Sequence, residues 1–347
     1  MIILEKKIFS VISLDKDIGG ISKMIELSTK VLSNNNNNKI NLFLIDKSAT
    51  EKSLSEVFKK KYITIKRLSI IEKNLLKLGY LRNNYKKDIF ESDIIFLHNY
   101  KLVKNLKRYL DFKPFILFFH TDKEKQIYGL EKIKKVLTVN SFTMKLINKK
   151  YKAEIAKYLP NCIDTRNKKL ILKNSKKEII VGAMGRLVEK KGFESLINVF
   201  KRLKGIQLHI AGDGPLMNFL EKKAYGYNNI KLLGWIKDKN EFFKKIDIFF
   251  CSSFIEPFGL VILEAMLNGV PVISTKCSGP LDIIEHMKNG ILVNIDNKHE
   301  MEKAVRLLEK DKLLRKKISK NAFETLKDKY SIQVYKKNLF SEIKKIL

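Results

Sequence analysis

Two glutamates, Glu256 and Glu264, lie on either side of a predicted helix start, where carboxylates and backbone donors could bind one ligand. Glu256 follows the buried strand predicted over 247–252, and Glu264 falls within the apolar helix predicted over 260–267. The residues at the helix start are Phe258, Gly259 and Leu260. Because backbone N–H groups at a helix N-terminus point outward with a partial positive charge, they favour phosphate. Each glutamate alone is typical of a solvated charge, so the pair needs support from the rest of the chain.

Arg186 and Lys191 supply the positive charge that an anionic ligand needs. Both follow the strand predicted over 178–184. An arginine fork binds two phosphate oxygens at once, and a lysine adds a point charge. The alternative is that both are solvated loop charges.

Two glycines and two histidines in the first half follow or end predicted strands. Gly19 and Gly20 come after the strand predicted over 8–14, where a doubly wound sheet often has an anion-binding turn. A plain tight turn is the alternative. His98 and His120 each end a continuous apolar run. Since such strand ends border the ligand site, either histidine is a candidate ligand contact. A hydrogen-bonded structural histidine is the alternative, which we favour for His98.

Strands and helices alternate in both halves of the chain, and the strands are short and almost continuously apolar. This pattern predicts two doubly wound parallel α/β sheets, one in each of two domains. A polar, lysine-rich stretch separates them. We predict a first domain over 1–165, a linker over 166–177, a second domain over 178–330 and a C-terminal helix over 331–347 that packs back on the first domain.

The composition favours anionic partners. The chain has 347 residues, 45% of them hydrophobic, and a formal net charge of +32 that both halves share. Lysine, isoleucine and asparagine are all abundant, which is typical of an AT-rich genome, so we give the charge limited weight. A basic surface still favours phosphorylated substrates or an anionic membrane leaflet. The basic, apolar-striped segment 100–110 is a candidate membrane contact, and an ordinary surface helix is the alternative.

We predict no metal site, disulfide framework or membrane span. The three cysteines, Cys162, Cys251 and Cys277, are far apart, which fits a reducing compartment. The segment Asp15-Lys16-Asp17 resembles a metal-binding Asp-x-Asp motif, but we interpret it as a solvated turn. The stretch 1–7 is too interrupted by charge for a signal peptide, and no apolar run reaches the about 18 residues of a membrane helix. We expect a cytoplasmic protein.

A series of motifs in the second half occurs in the order found in a known family. Residues 185–293 resemble the nucleotide-binding half of family 4 glycosyltransferases. The matching segments are Gly185-Arg186-Leu187, Lys191-Gly192-Phe193, 211–216, Leu233-Gly234-Trp235, the pair Glu256 and Glu264, and 289–293. The first half matches only in outline, at Gly19-Gly20, His98-Asn99, His120-Thr121-Asp122, Ser141 and 159–164. Cys162 replaces a glycine that is usual in the family, and Thr121 separates the usual His-Asp pair.

The resemblance implies a fold and an activity. The fold is GT-B: two Rossmann-like domains that face each other across a cleft, with C-terminal helices. The activity is a retaining, metal-independent transfer of a sugar from a nucleotide diphosphate sugar, UDP-linked, to a glycan or lipid-linked acceptor in bacterial lipopolysaccharide or capsule synthesis. No cofactor or protein nucleophile is implied, because the leaving phosphate oxygen takes the acceptor's proton. Contact with the inner face of the cell membrane is a further expectation.

The resemblance also implies roles for individual residues. The catalytic residues are Glu256 and His120, which contact the donor sugar. Glu264 accepts hydrogen bonds from the ribose, and the loop at Trp235 contacts the base. The groups expected to bind the diphosphate are Gly19, Gly20, Arg186, Lys191 and the helix start at Phe258, Gly259 and Leu260.

Several alternative functions stay open. A nucleotide-sugar epimerase has a similar scaffold but lacks this paired-glutamate pattern, and a phosphorylase needs a pyridoxal-binding lysine and usually a longer chain. The charge suggests a nucleic-acid-binding protein, but positive and negative residues are mixed throughout, without a basic motif with interleaved aromatics. The last alternative is a non-catalytic partner subunit, against which the intact Arg186, Lys191, Glu256 and Glu264 argue.

Overall fold

The structure, a computed structural model, describes residues 7–17, 19–34, 38–58, 62–172 and 178–347. Two predictions fall partly outside these residues: the charged N-terminal stretch 1–7 and the end of the linker 166–177. The chain divides into two compact units, of which the first is Met1–Cys162 with Ile332–Leu347 and the second is Ile163–Ser331.

The strands and helices alternate along the described chain. The strands are β1 Ile8–Ile12, β2 Lys39–Ile45, β3 Ile63–Leu68, β4 Ile94–Leu97, β5 Phe115–Phe119, β6 Lys135–Thr138, β7 Ala156–Tyr158, β8 Ile179–Met184, β9 Ile206–Ala211, β10 Ile230–Leu232, β11 Ile248–Cys251, β12 Val272–Thr275 and β13 Ile291–Val293. The helices are α1 Gly20–Ser33, α2 Ala49–Val57, α3 Ile70–Lys77, α4 Asn83–Phe90, α5 Lys101–Asn105, α6 Ser141–Tyr151, α7 Phe193–Phe200, α8 Met217–Ala224, α9 Lys239–Lys245, α10 Leu260–Leu267, α11 Ser278–Ile283, α12 Lys298–Lys310, α13 Lys312–Tyr330 and α14 Ile332–Lys344.

The first unit contains a seven-stranded parallel sheet in the order β3-β2-β1-β4-β5-β6-β7. Every residue of β4 and β5 is buried, as expected for strands covered by helices on both faces. The strand order reverses at β1, which pairs with both β2 and β4. The carboxyl ends of β1 and β4 are therefore where a doubly wound sheet binds its ligand.

The second unit contains a six-stranded parallel sheet in the order β10-β9-β8-β11-β12-β13. The order reverses between β8 and β11, which are hydrogen-bonded neighbours. Val181 on β8, Phe250 on β11 and Phe200 on α7 belong to one buried apolar core. The prediction of two doubly wound parallel sheets with C-terminal helices is therefore confirmed.

The C-terminal helix α14 belongs to the first unit, whereas α13 belongs to the second. The side chains of Tyr335, Leu339 and Ile343 on α14 are buried. Glu342, also on α14, has its Oε2 3.8 Å from the Lys135 ammonium of β6. Helix α14 is thus anchored by an apolar face and a mostly buried ion pair.

The boundary between the units lies at Cys162 rather than at residue 165. The described part of the predicted linker, 166–172, belongs to the second unit. Its Ile171 carbonyl lies close to Gly269, where an added Cβ would be 2.6 Å from the oxygen. Polar composition suggested a free linker, but this backbone approach fixes the segment to the second unit.

The segment 100–110 does not expose the apolar stripe that the predicted membrane contact requires. It forms α5 and a 3-10 turn over Lys107–Tyr109. Its apolar side chains, including Leu102, Val103 and Leu106, lie in the core of the first unit, so only its cations are exposed. No helix within the described ranges combines the length and apolar character that a membrane crossing requires.

Candidate functional site

In the second unit, Lys191 and Glu256 meet at the carboxyl ends of the two central strands. Lys191 lies in a 3-10 turn, Glu189–Lys191, after β8, and Glu256 lies in the loop after β11. The Lys191 Nζ is 2.5 Å from the Glu256 Oε2, and the two side chains are only 19% and 10% exposed. The structure thus joins two residues that the sequence assigned to different parts of one ligand.

The electrostatics of this pair keep the lysine charged. Burial alone lowers the pKa of the Lys191 ammonium, but the adjacent Glu256 carboxylate outweighs burial and raises that pKa above its ordinary value. An anionic ligand that binds Lys191 therefore meets an ammonium that is charged but already paired, and must share it with the Glu256 carboxylate.

Gly192 is the residue that lets Lys191 reach Glu256. It has a φ of +65°, and a Cβ at this position would lie 2.1 Å from the Ser252 carbonyl oxygen. The Ser252 Oγ donates a 2.9 Å hydrogen bond to the Lys191 carbonyl. Only glycine combines this conformation with so close a backbone approach.

The start of α10 presents backbone donors beside Glu256. Gly259 precedes the helix with a φ of +104°. The N–H groups at this start, those of Phe258, Gly259 and Leu260, donate to no acceptor among the described residues. Gly279 supports the loop, because its N–H donates to the Glu256 carbonyl at 3.0 Å and a Cβ on it would lie 2.2 Å from the Phe258 Cα. The predicted helix start is therefore packed in place with donors unused.

Glu264, on the second turn of α10, has a partner that the sequence did not predict. The Lys239 ammonium at the start of α9 donates to both carboxylate oxygens of Glu264, at 2.7 Å and 3.0 Å. The Lys239 side chain is 52% exposed and that of Glu264 is 23% exposed. A ligand hydroxyl that binds Glu264 must share this carboxylate with Lys239 or displace it.

Arg186 and Trp235 lie along the same edge of the sheet, next to three glycines that follow β8, β9 and β10. The backbones of these three glycines lie in contact. A Cβ on Gly212 would be 1.9 Å from the Gly185 oxygen, and the Gly212 N–H donates to the Gly234 carbonyl at 2.8 Å. Arg186 is exposed, and Trp235 is 68% exposed.

A buried polar cluster next to Glu256 was missed by the sequence analysis. The Thr275 Oγ1 and the Cys277 Sγ donate to the Ser253 carbonyl at 2.5 Å and 3.0 Å. The Ser253 Oγ lies 3.5 Å from the Glu256 Oε2. Burial raises the pKa of the Cys277 thiol to about 11, so it remains a hydrogen-bond donor. The only sequence signal was the position of these small residues at or just after the ends of two buried strands.

In the first unit, His98 and His120 lie together at the ends of β4 and β5. The His98 Nδ1 is 3.1 Å from the His120 Nε2, and the rings are 5.3 Å apart at 15°. Burial lowers the pKa of His120 to about 4. Burial, reinforced by the nearby His120, also lowers the pKa of His98 well below its ordinary value. Both rings are therefore neutral near pH 7.

The turn after β1 places Gly19 just before α1 in extended backbone, with its N–H donating to the Ser22 Oγ at 2.7 Å. A Cβ on Gly19 would meet nothing within 4 Å, and Gly20 is the first residue of the helix. Asp15 differs from the solvated turn residue that we predicted, because burial and the charge of Asp17 raise the pKa of its carboxyl to about 6. In the part of the chain that the structure describes, no group of three or more metal-binding side chains occurs.

Comparisons with known proteins agree with this geometry. Residues 164–325 match the family described as glycosyl transferases group 1. The chain is 36% identical over 155 residues to the lipopolysaccharide core biosynthesis glycosyltransferase LpsE of Rhizobium meliloti, covering 44% of this chain and 46% of that protein. It is 28% identical over 163 residues to the capsular polysaccharide biosynthesis glycosyltransferase CapM of Staphylococcus aureus, covering 45% and 43%. The matches thus span about half the length of these curated relatives.

Solved structures match nearly the whole chain. Anabaena HepE in complex with UDP and glucose superposes with a TM-score of 0.82 at 18% identity, over 98% of this chain and 100% of that one. The lipopolysaccharide outer core galactosyltransferase WaaB superposes with a TM-score of 0.75 at 19% identity, over 98% and 100%. At this identity the likeness shows the fold alone.

The two Rossmann-like parallel-sheet units define a protein of the GT-B fold class. Its second unit carries the family match and the ordered site residues. Residues 164–325 are therefore similar to the glycosyl transferases group 1 family, in agreement with the resemblance drawn from the motifs.

Proposed function

We propose that this protein is a retaining glycosyltransferase that moves a hexose from a UDP-linked sugar to an acceptor in cell-envelope glycan synthesis, without needing a metal ion. The observation that carries the proposal is the buried pair of Lys191 and Glu256 next to the unused N–H groups of the α10 start. It combines a fixed cation and fixed donors, as a leaving diphosphate requires, with a carboxylate for a sugar hydroxyl.

The chemistry follows from where charge develops. As the glycosidic bond breaks, negative charge grows on the diphosphate oxygen, and preorganised donors stabilise it more than they stabilise the bound donor. Lys191, Arg186 and the α10 N–H groups provide that positive potential, which is the role of a divalent cation in other transferases. Glu256 accepts a hydrogen bond from the sugar, and Glu264 accepts hydrogen bonds from the ribose.

The first unit has its own roles in the proposal. His120 contacts the donor sugar through a neutral imidazole, and the backbone at Gly19 and Gly20 approaches the diphosphate. The open space beside Gly19 supports this role, because a Cβ there would occupy room that the chain itself leaves unused. In the second unit, the exposed Trp235 loop contacts the base.

The relatives support the choice of donor and pathway. Two of the relatives are named for lipopolysaccharide core and capsular polysaccharide biosynthesis, and HepE has been solved with UDP-glucose. These names describe those proteins. The UDP-glucose complex of HepE makes UDP-sugars the first donors to test, and the names of the two relatives make envelope glycans the first acceptors.

A donor screen tests the proposal. Thermal stabilisation and slow hydrolysis are measured with UDP-, GDP- and ADP-sugars, in buffer with a chelator. We expect stabilisation and hydrolysis with at least one UDP-sugar and a released sugar of unchanged anomeric configuration by NMR. Failure of every nucleotide sugar to stabilise the protein refutes the proposal, and inverted product refutes the retaining mechanism.

We also propose that the first unit contacts an anionic membrane surface where a lipid-linked acceptor lies. The contact is an apolar–basic surface made by Leu78, Tyr80, Phe90, Arg108 and Phe112. The four apolar side chains are 41% to 70% exposed. Phe90 packs edge-on against Phe112, and the Arg108 guanidinium lies 4.5 Å from the centre of the Tyr80 ring. Apolar groups beside exposed cations are complementary to an anionic leaflet.

Vesicle sedimentation tests this surface. We expect binding to phosphatidylglycerol vesicles, weaker binding at high salt, and little binding to neutral vesicles. Phe112→Ser weakens binding, whereas Phe142→Ser, at an exposed aromatic of α6 in the same unit, leaves it unchanged. Equal binding by both variants contradicts the assignment.

A further inference from the structure

Three side chains in the first unit form a hydrogen-bonded row that ends at His120. The Ser28 Oγ of α1 is 3.4 Å from the His98 Nε2, and the His98 Nδ1 is 3.1 Å from the His120 Nε2. Ser28 and His98 are 0% and 2% exposed, and His120 is only partly buried. The row therefore runs from the interior of the unit to a ring that a ligand can reach.

The position of one hydroxyl proton decides the direction of the row. The Ser28 hydroxyl donates to the Ile25 carbonyl at 3.2 Å. Since a hydroxyl has a single proton, the Ser28 Oγ is then an acceptor towards His98. His98 must carry its proton on Nε2, and a neutral imidazole with Nε2–H has a bare Nδ1.

The bare Nδ1 of His98 in turn determines where His120 carries its proton. The bare Nδ1 of His98 can only accept, so His120 donates its Nε2–H to it. His120 is neutral as well, and its own Nδ1 is left as an acceptor. No other described residue forms a hydrogen bond with the His120 side chain. Stacking on Phe118, 4.5 Å from the His98 ring at 18°, fixes the plane of His98 and hence the direction of the bond.

We propose that His98 is a positioning residue that, with Ser28, fixes His120 as its Nε2–H tautomer and leaves the His120 Nδ1 to accept a hydrogen bond from a ligand hydroxyl. The proposal rests on the proposed function only in naming a donor-sugar hydroxyl as that partner. The sequence analysis favoured a purely structural role for His98, and the geometry gives this buried residue a second one.

The direct test is the tautomer itself. The chain has five histidines, so long-range proton–nitrogen NMR of nitrogen-labelled protein resolves each ring, and His120→Asn assigns the signal of His120. We expect a protonated Nε2 and an unprotonated Nδ1 for His120 at neutral pH. The opposite tautomer, or a pair in rapid exchange, overturns the proposal.

Variants separate positioning from simple packing. His98→Phe keeps the ring and its stacking but removes the acceptor, so the His120 signals should become those of mixed tautomers. His98→Asn places an amide oxygen near the position of Nδ1 and should restore the Nε2–H form. An unchanged His120 tautomer in His98→Phe overturns the proposal.

A matched pair of serines tests the inner end of the row. Ser28 and Ser33 are both buried on α1, and each donates to a carbonyl three residues earlier. Only Ser28 lies next to His98. We expect Ser28→Ala to disturb the His120 signals and Ser33→Ala to leave them unchanged. Equal effects, or none from Ser28→Ala, overturn the proposal.

Kinetics then connect the tautomer to turnover. With an active UDP-sugar, His98→Phe should lower kcat by about tenfold with a smaller change in KM, and His98→Asn should recover most of the loss. Equal activity of His98→Phe and wild type overturns the positioning role. If His120 has the predicted tautomer but the protein binds no nucleotide sugar, the hydrogen-bonded row is supported and the proposed function is refuted. Failure of the positioning role and failure of the proposed function are therefore distinguishable.

Discussion

Removing one member of the Lys191 and Glu256 pair should destabilise the second unit much more than removing both. The two side chains are mostly buried at an N–O distance of 2.5 Å, and breaking a buried pair leaves an uncompensated charge that costs about 3–5 kcal/mol. We therefore expect Glu256→Gln and Lys191→Met each to lose stability of this order. The double variant should lose clearly less than either single variant, because neither remaining side chain is then a buried, uncompensated charge.

The assay is urea unfolding followed by circular dichroism, with the transitions of the two units fitted separately. The matched control is the exposed pair of Lys244 and Glu241, which is 2.6 Å long with side chains 66% and 53% exposed. Its loss should change the stability of the unit little, because water screens an exposed ion pair. Additive effects in the buried pair, or losses no larger than in the control, would refute the reasoning.

The same pair has a pH signature. The folded pKa of Lys191 is raised, so its stabilising effect is complete below the pKa of an unfolded lysine. That effect is lost as pH rises through the raised folded value. Glu256→Gln should abolish this loss of stability at high pH, because the carboxylate that raises the pKa of Lys191 is then absent and only burial, which lowers that pKa, remains.

Three further predictions concern the surrounding residues. Lys239→Ala should tighten UDP binding severalfold, because it frees the Glu264 carboxylate for the ribose. Lys244→Ala on the same helix should leave UDP binding unchanged, and calorimetry measures both variants. Weaker binding by Lys239→Ala would show that Lys239 itself contacts the ligand. Gly192→Ala should destabilise the second unit and abolish nucleotide binding, because its Cβ collides with the Ser252 carbonyl; normal nucleotide binding by a folded Gly192→Ala would contradict the required backbone approach. The stability of the first unit should fall as pH drops from about 6.5 towards 4, because burial lowers the pKa of His120 to about 4 and the unfolded chain binds the proton first. In thermal unfolding, His120→Asn should make the stability depend less steeply on pH over this range. An unchanged pH dependence would contradict the assignment.

Local patterns in the sequence predict most of the elements near the site. The apolar helix predicted over 260–267 is found as Leu260–Leu267, and Gly269 ends it in the left-handed conformation that glycine adopts most easily. Helix α11 begins at Ser278, so Pro280 lies in its first turn, where the N–H that proline lacks has no partner within the helix. No element was predicted between residues 46 and 92, where the structure has α2, β3, α3 and α4.

Contacts between residues far apart in the chain could not be predicted from the sequence. Lys191 and Glu256 are 65 positions apart, and their meeting depends on β8 lying next to β11. His98 and His120 are 22 positions apart and meet because β4 pairs with β5. The Lys239 contact with Glu264 depends on the orientation of two helices. Spacing identified candidate residues, but the strand order determined which of them touch.

The measurement that tests the central claim most directly is UDP binding by calorimetry in the presence of a chelator. Lys191→Met is compared with Lys190→Met, an exposed neighbour in the same 3-10 turn. The account predicts that wild type and Lys190→Met bind UDP without metal, and that Lys191→Met binds about 10–100-fold more weakly, because a charge-assisted hydrogen bond contributes about 1.5–3 kcal/mol. Equal affinity of the two variants, or no UDP binding by wild type until a metal is added, would contradict it.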